Sequence, residues 1–510
     1  MTRRRAEPRC LAFALAACAV AVAQAQQGSA GGLTIRPRFG VMQTWTDNLR
    51  LDDHNKDAAL ITTLSPGFVV TSNSGALRGS LDYSLNGIAY VKSDQPSRVQ
   101  NALSANAQAE LISRTLYVDM RASIGQQNAS AFGQQSAPTL GSQGAVANLA
   151  NANQHETGTL SLSPSLRGVL GGLASYELRG DFSRTEARGT SLGDGHSSGG
   201  SLNIREMNAG VMGWWLQANV QRAQSASVSS NRNDSVKAGL NYRPDPDWIF
   251  SVNAGRERSD YLGGGTQNGA TAGVTADWTP TPRTRLAGTW QHHNYGNSHS
   301  LTFDHRMSRS VWRFADTQSV QVGNTGAGGG VRSNYDQFFL LFASLEPDPV
   351  KRDALVRGYL QSQGLSPDAP SASGFLSTGP SRLRNQLLSV TLQGQRSSLS
   401  ALVSRTITSR LGSNQNQGDL ANTARIEQRS YSLTVSHQLT PLSGVSLIAS
   451  RQETVGDAVN QSTQLTSLIA NWNARLGPWL SAQLGARRSR FDGVTPYTEN
   501  SVYANLTQQF

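Results

Sequence analysis

Cysteine is nearly absent from this 510-residue chain: Cys10 and Cys18 are the only two. Both fall in an N-terminal stretch that reads as an export leader, with Arg3, Arg4, Arg5 and Arg9 as the positive head, Leu11 to Val22 as the apolar run and Ala23-Gln24-Ala25 as a small-x-small cleavage site. Cleavage there assigns residues 1–25 to a signal peptide and starts the mature chain near Gln26 without a thiol. Disulfides, zinc–cysteine sites and cysteine nucleophiles are then excluded. A rival reading takes Leu15-Ala16-Ala17-Cys18 as a lipoprotein box with Cys18 acylated, but the apolar run continues past Cys18 to the conventional site.

Long apolar runs are missing as well. Beyond the leader nothing approaches the roughly 18 consecutive apolar residues of a membrane helix, and hydrophobic residues make up only 37% of the chain, so a spanning helix is excluded. A β-barrel is not, because it shows lipid only every second residue. Charge is sparse at 15%, and 50 glycines with abundant serine and asparagine suit strands around a watery lumen better than an α/β enzyme. Acid is scarcer than base: the formal charge is +11, and +8 without the four arginines and Glu7 of the leader. Nucleic acid is not expected to meet an exported protein, so the excess points to lipopolysaccharide phosphates or anionic solutes.

What is present is alternation. Leu33, Ile35, Phe39 and Val41 alternate with Thr34, Arg36, Arg38 and Gly40; Leu77, Leu81, Tyr83 and Leu85 with Arg78, Ser80, Asp82 and Ser84; Leu116, Val118, Met120 and Ala122 with Tyr117, Asp119, Arg121 and Ser123. The last strand repeats it, with Val502, Ala504, Leu506 and Phe510 on one face and Ser501, Asn505, Thr507 and Gln509 on the other. An aromatic end such as Phe510 is an assembly signal for the barrel-assembly machinery, and this strand should close onto Leu33 to Trp45. Such segments number about 22, within 18–24, which predicts an all-β fold: a transmembrane antiparallel β-barrel filling residues 26–510. Connection lengths agree with it. Short links (Asn73-Ser74-Gly75, Ser113-Arg114, Gly171-Gly172, Pro280-Thr281-Pro282, Thr440-Pro441) alternate with long polar ones (Asp47 to Asp57, Asn128 to Gln154, Glu186 to Gly200, Asp260 to Asn268, Ser409 to Thr423, Phe491 to Thr498). Short periplasmic turns and long outer loops give that bias, and place both termini in the periplasm of a Gram-negative cell.

In six upward strands the lipid-facing parity ends in arginine: Arg184, Arg222, Arg256, Arg405, Arg451 and Arg488. Arginine is costly at the membrane midplane and cheap near its rim, and its fork suits lipopolysaccharide phosphates; being simply the first residues beyond the membrane is the plain alternative. One segment, about residues 319–384, breaks the pattern. After the tract Gly323 to Gly330, Asp348-Pro349 reads as N-cap and N1 of a helix ending at Gly364, with Tyr335 to Leu345 as a second helix. This insertion either caps the pore, folds into it, or is a surface hairpin.

Several linked stretches resemble a known family. Thr44-Trp45-Thr46-Asp47-Asn48, Ile61 to Gly67, Trp278 to Thr284, Tyr295-Gly296-Asn297, Ser300 to Arg306 leading to Ser310-Val311-Trp312, Ser436 to Pro441 and Tyr497 to Val502 are similar to the outer-membrane β-barrels associated with the PEP-CTERM/exosortase system. The resemblance covers essentially the whole mature chain. It implies a bacterium that sorts proteins by exosortase and makes exopolysaccharide, and it brings no catalytic motif or cofactor. Trp45 stands where tyrosine is commoner in the family.

Chemistry-bearing residues are few. His292, His293, His299, Asp304 and His305 surround the Tyr295-Gly296-Asn297 hairpin; His293 and Asp304 share the lumen parity, and such a pair could activate water. The spacing fits no metal site, and no glycine loop has the context of a phosphate cradle. On the lumen parity Arg36, Arg38, Arg78, Arg121, Arg179, Arg205, Lys237, Arg285 and Arg306 outnumber Asp82, Asp119, Glu177, Asp181 and Asp304. Surplus base would favour anions, while pairing across the wall would make structural ladders; a mixture is expected. The sequence therefore points to a channel or export component for polysaccharide or other solutes, without catalysis. The alternatives are a non-conducting docking barrel for surface polymers or PEP-CTERM proteins, and a rim-active hydrolase.

Overall fold

The computed structural model describes residues 32–321 and 375–510, apart from 92, 138, 142–143, 147, 209, 226–227, 263–264, 378, 413–416 and 459–460, with 339, 352 and 356 as isolated positions. Strand amides facing lipid have no water to bond, so a membrane sheet must close on itself. Here 22 strands do so, from Leu33–Thr46 to Tyr497–Gln509. Each pairs antiparallel with its neighbour in the ring, and the last returns to the first, setting Arg38 opposite Gln509 and Thr46 opposite Ser501. The Phe510 N–H extends this seam by donating to the Pro37 carbonyl at 2.9 Å. The fold is thus the closed antiparallel barrel the alternation predicts, joined where expected. Two three-residue strands, Thr139–Gly141 and Gly144–Val146, pair outside the ring.

Burial runs opposite to that of a soluble sandwich. In the last strand Val502 and Leu506 are 57% and 51% exposed, while Ser501 and Thr507 are 2% and 1% exposed. Apolar side chains stand outward and polar ones face in, which is favourable only with hydrocarbon outside. Tryptophans mark two outward levels. Trp248 stacks on Trp278 at 5.3 Å, with Trp214 and Trp312 also near the short-turn end, while Trp45 and Trp290 lie toward the long-loop end. Amphipathic rings collect at the two headgroup levels of a membrane.

Short turns at 74–76, 113–115, 171–173 and 441–442 alternate with segments at 47–58, 129–153, 260–266 and 411–424. The Gly171-Gly172 turn takes φ of 55° and 75°, left-handed values that glycine adopts without strain. Two expected loops are tighter than their composition suggests. Strands run to Ala187 and from Gly195, and to Asp492 and from Tyr497, leaving only 188–194 and 493–496. Near the rim neither face must be apolar, so a stretch such as Gly195 to Gly200 still makes strand, with Gly195 opposite Thr185. The insertion is also narrower than 319–384, because its flanking strands are Ser310–Gln321 and Ser381–Gln393. The helices expected at Asp348 to Gly364 and Tyr335 to Leu345 lie outside the described residues, isolated positions aside. A four-residue helix, Asp419–Asn422, sits in the 411–424 loop.

Candidate functional site

Strict period-two geometry fixes which side chains enter the lumen, and strand register carries that parity around the ring. The register places all nine expected cations inside: Arg36, Arg38, Arg78, Arg121, Arg179, Arg205, Lys237, Arg285 and Arg306. The lumen acids expected beside them are consumed in ion pairs. Arg38 binds Asp82, Arg179 bridges Asp119 and Asp181 at 2.9 and 3.0 Å, Arg167 meets Glu177 at 3.3 Å, and Arg313 holds Asp304 at 3.1 Å. Arg285 is taken by Asp277. Arg36, Arg78, Arg121, Arg205, Lys237 and Arg306 have no ion-pair partner among the described residues. The wall is laddered, and the uncompensated charge left over is positive.

The outer mouth is narrowed by a loop that folds inward. Residues 129–153 leave the fifth strand of the ring and cross to the seam. There Arg487, wholly buried, forks onto buried Glu499 (Nε–Oε2 3.1 Å, Nη2–Oε1 2.8 Å). Its remaining Nη1 donates to the Ala137 carbonyl and to Thr139 Oγ1, both at 2.8 Å. Tyr497 OH donates to the Gln135 carbonyl at 2.6 Å, Asn148 Nδ2 to Thr44 Oγ1 at 3.1 Å, and Arg98 Nη2 to the Leu149 carbonyl at 2.7 Å. Val146 and Leu149 complete an apolar cluster with Met42, Leu49, Leu51, Ile61, Ile88, Phe491 and Tyr497. Met42, Ile61, Ile88, Phe491 and Tyr497 are on the lumen parity, where an open aqueous pore would leave them wet.

The loop also reaches the far wall. Asp419, between the seventeenth and eighteenth strands of the 22, accepts from Ser130 Oγ at 2.8 Å and from the Ala131 N–H. Burial pushes the Asp419 carboxyl above its ordinary range, against those two hydrogen bonds. Ala131 packs with Phe375, Leu420 and Ile426, and the Leu376 N–H donates to the Asn128 carbonyl at 3.0 Å. Gly456 gives the Phe132 ring its space, since a Cβ there would come within 2.8 Å of it. Together these contacts form a roof spanning the barrel.

The histidines are dispersed. His293 faces inward, but its partner is not Asp304, which belongs to Arg313. Instead Nδ1 meets Glu257 Oε2 at 2.7 Å, Nε2 meets Ser298 Oγ at 3.0 Å, and the Tyr295 ring stacks on the imidazole at 4.8 Å. Glu257 also accepts from the Asn294 N–H at 2.8 Å, so this group pins the hairpin at the rim. His292 pairs with Asn297, His299 with Asp316 and His305 with Thr284, all on the outward parity. Among the described residues no three His, Cys, Asp or Glu side chains come together as a metal site would require.

All six rim arginines lie on the outward parity. Arg184 binds Glu186, Arg405 binds Glu427 and Arg451 binds Glu453; Arg222, Arg256 and Arg488 have no ion-pair partner among the described residues.

No known family profile matches the chain, and no curated protein sequence does. Among solved structures it is similar to the FrpB iron transporter of Neisseria meningitidis (9% identity, 95% of this chain and 83% of that one, TM-score 0.47). It is also similar to the siderophore receptor PirA of Pseudomonas aeruginosa (9%, 95% and 81%, TM-score 0.45). A third likeness is to the outer membrane protein OpdK of the same organism (8%, 93% and 99%, TM-score 0.34). At such identities the likeness concerns barrel architecture alone.

Proposed function

We propose that this outer-membrane barrel is a gated conduit that favours anions, with the 129–153 roof as its gate. The carrying observation is the lumen itself: the five acids expected there are spent in ion pairs, while six cations have no ion-pair partner among the described residues. Positive charge lining a water-filled path lowers the entry barrier for anions. A roof held by many small contacts, the hydrogen bonds from buried Arg487 to Ala137 and Thr139 among them, can be docked or released as a unit. Conductance of roof-shortened protein across a planar bilayer tests this reading, and also separates it from a docking barrel, which would pass no current in either form.

The family resemblance supports a finer proposal, that the cargo is a charged exopolysaccharide in a PEP-CTERM/exosortase setting. Surface polymer left unchanged by deletion of the gene would remove it.

A second reading rests on one arrangement. Glu257, His293 and Ser298 are linked in the hydrogen-bond order of a serine hydrolase. Tyr295 covers the imidazole face and Glu257 is buried, which suits a structural pin. On the conduit reading a fluorophosphonate probe leaves the folded protein unlabelled. Labelling that disappears in Ser298→Ala would instead make it a rim hydrolase.

A further inference from the structure

Five neighbouring strands, Ser310–Gln321, Ser381–Gln393, Ser397–Arg410, Arg425–Thr440 and Ser443–Gly456, carry a row of charge on their lipid-facing side at the long-loop end. Arg384 forks onto Asp316, with Nη2–Oδ2 at 2.6 Å; Arg405 forks onto Glu427 at 2.8 Å; Arg451 reaches Glu453 at 2.5 Å. Glu427 is held by Arg425 and Arg429 as well, at 2.9 and 2.7 Å, so one carboxylate answers three guanidiniums. Arg405 and Arg429 are direct cross-strand partners, a placement in which like charges repel. Five arginines against three carboxylates leave the row at +2.

Just below the row the same outward parity turns apolar: Leu388, Val403, Tyr431, Leu433 and Leu447 are 42–45% exposed. Arginine is costly in the hydrocarbon and nearly free at the interface, so this step from apolar to cationic marks the headgroup level of the outer leaflet. Guanidinium forks match phosphate oxygens in charge and shape. A molecule with phosphate above and acyl chains below would meet both surfaces at once.

We propose that Arg384, Arg405, Arg425, Arg429 and Arg451 bind a phosphate group of an outer-leaflet phosphorylated glycolipid, whose acyl chains lie along Leu388, Val403 and Tyr431. The anion supplies the charge that Glu427 alone cannot. Arg384, Arg425 and Arg429 lie near the starts of downward strands, beside Arg405 and Arg451 near the ends of upward ones.

The test uses the full chain, purified in detergent and incubated with lipopolysaccharide, with bound glycolipid measured after gel filtration and folding checked by heat-modifiable gel mobility. Arg384→Gln/Arg405→Gln/Arg429→Gln should retain about tenfold less, the loss of roughly one charge-assisted contact in net free energy. Glu427→Gln should retain more than wild type, because it frees three guanidiniums; a merely structural ladder would give a weaker barrel and no gain. Enzymatically dephosphorylated glycolipid should bind wild type no better than the triple variant. Equal retention by wild type and a folded triple variant would overturn the site. Inorganic phosphate stabilising the protein against heat as well as the glycolipid does would overturn the glycolipid assignment.

Discussion

Replacing Arg487 by methionine is expected to release the roof, raising bilayer conductance several-fold while the barrel stays folded. Arg487 serves wall and loop together, with two nitrogens on Glu499 and the third on Ala137 and Thr139. Both members of the pair are wholly buried. Methionine fills much of the volume but leaves a buried carboxylate supported, among the described residues, by Thr46 Oγ1 alone, at 3.0 Å. Removing one partner of such a pair costs about 3–5 kcal/mol, enough to shift a docking equilibrium by roughly a hundredfold or more. Water can reach Glu499 only if the loop lifts, so the strain resolves through the roof rather than through the hydrogen-bonded ring. Arg487→Met/Glu499→Gln should recover much of the closed state, a coupling that a double-mutant cycle reads directly. Unchanged conductance in the folded single variant would mean that the pair belongs to the wall alone.

Neutralising the six uncompensated lumen cations should abolish anion preference. With Arg36, Arg78, Arg121, Arg205 and Arg306 changed to glutamine and Lys237 to methionine in a roof-shortened background, the reversal potential in a salt gradient should fall to near zero. The parent should show a clear anion-selective potential. Because the Debye length is about 10 Å at 0.1 M salt, the contrast should be largest in dilute salt. Neutralising whole pairs instead, Arg38 with Asp82 and Arg285 with Asp277, should change selectivity little and weaken the wall, since each pair already balances its own charge. Identical selectivity in the six-site variant and its parent would assign the lumen charge no role in permeation.

Much of the architecture is legible because a strand's two faces are locked to sequence parity. Once alternation is found, the side of Arg121 or Asp119 follows from counting, and all nine lumen cations fall where counting puts them. Loop lengths then orient the ring. The roof was not legible in the same way. Residues 129–153 carry no charged residue and no strand period, and their anchors are remote in sequence: Thr139 meets Arg487 across 348 positions, and Ser130 meets Asp419 across 289. A clue was available in Ile61, Ile88, Phe491 and Tyr497, large apolar residues on a parity meant for water. The partner of His293 was hidden for a similar reason, because parity brings Asp304 to the same face but cannot say that Glu257, two strands away in the ring, stands nearer.

Single-channel recording reads the gate and the lumen charge in one experiment. Wild-type protein and a folded variant with residues 134–150 replaced by a short glycine-serine link are compared in the same planar bilayer under a salt gradient. A gated, anion-favouring lumen should give rare or small openings in wild type, large steady steps in the variant, and a reversal potential of anionic sign. A correctly folded variant that passes no current, or that passes cations preferentially, would contradict it.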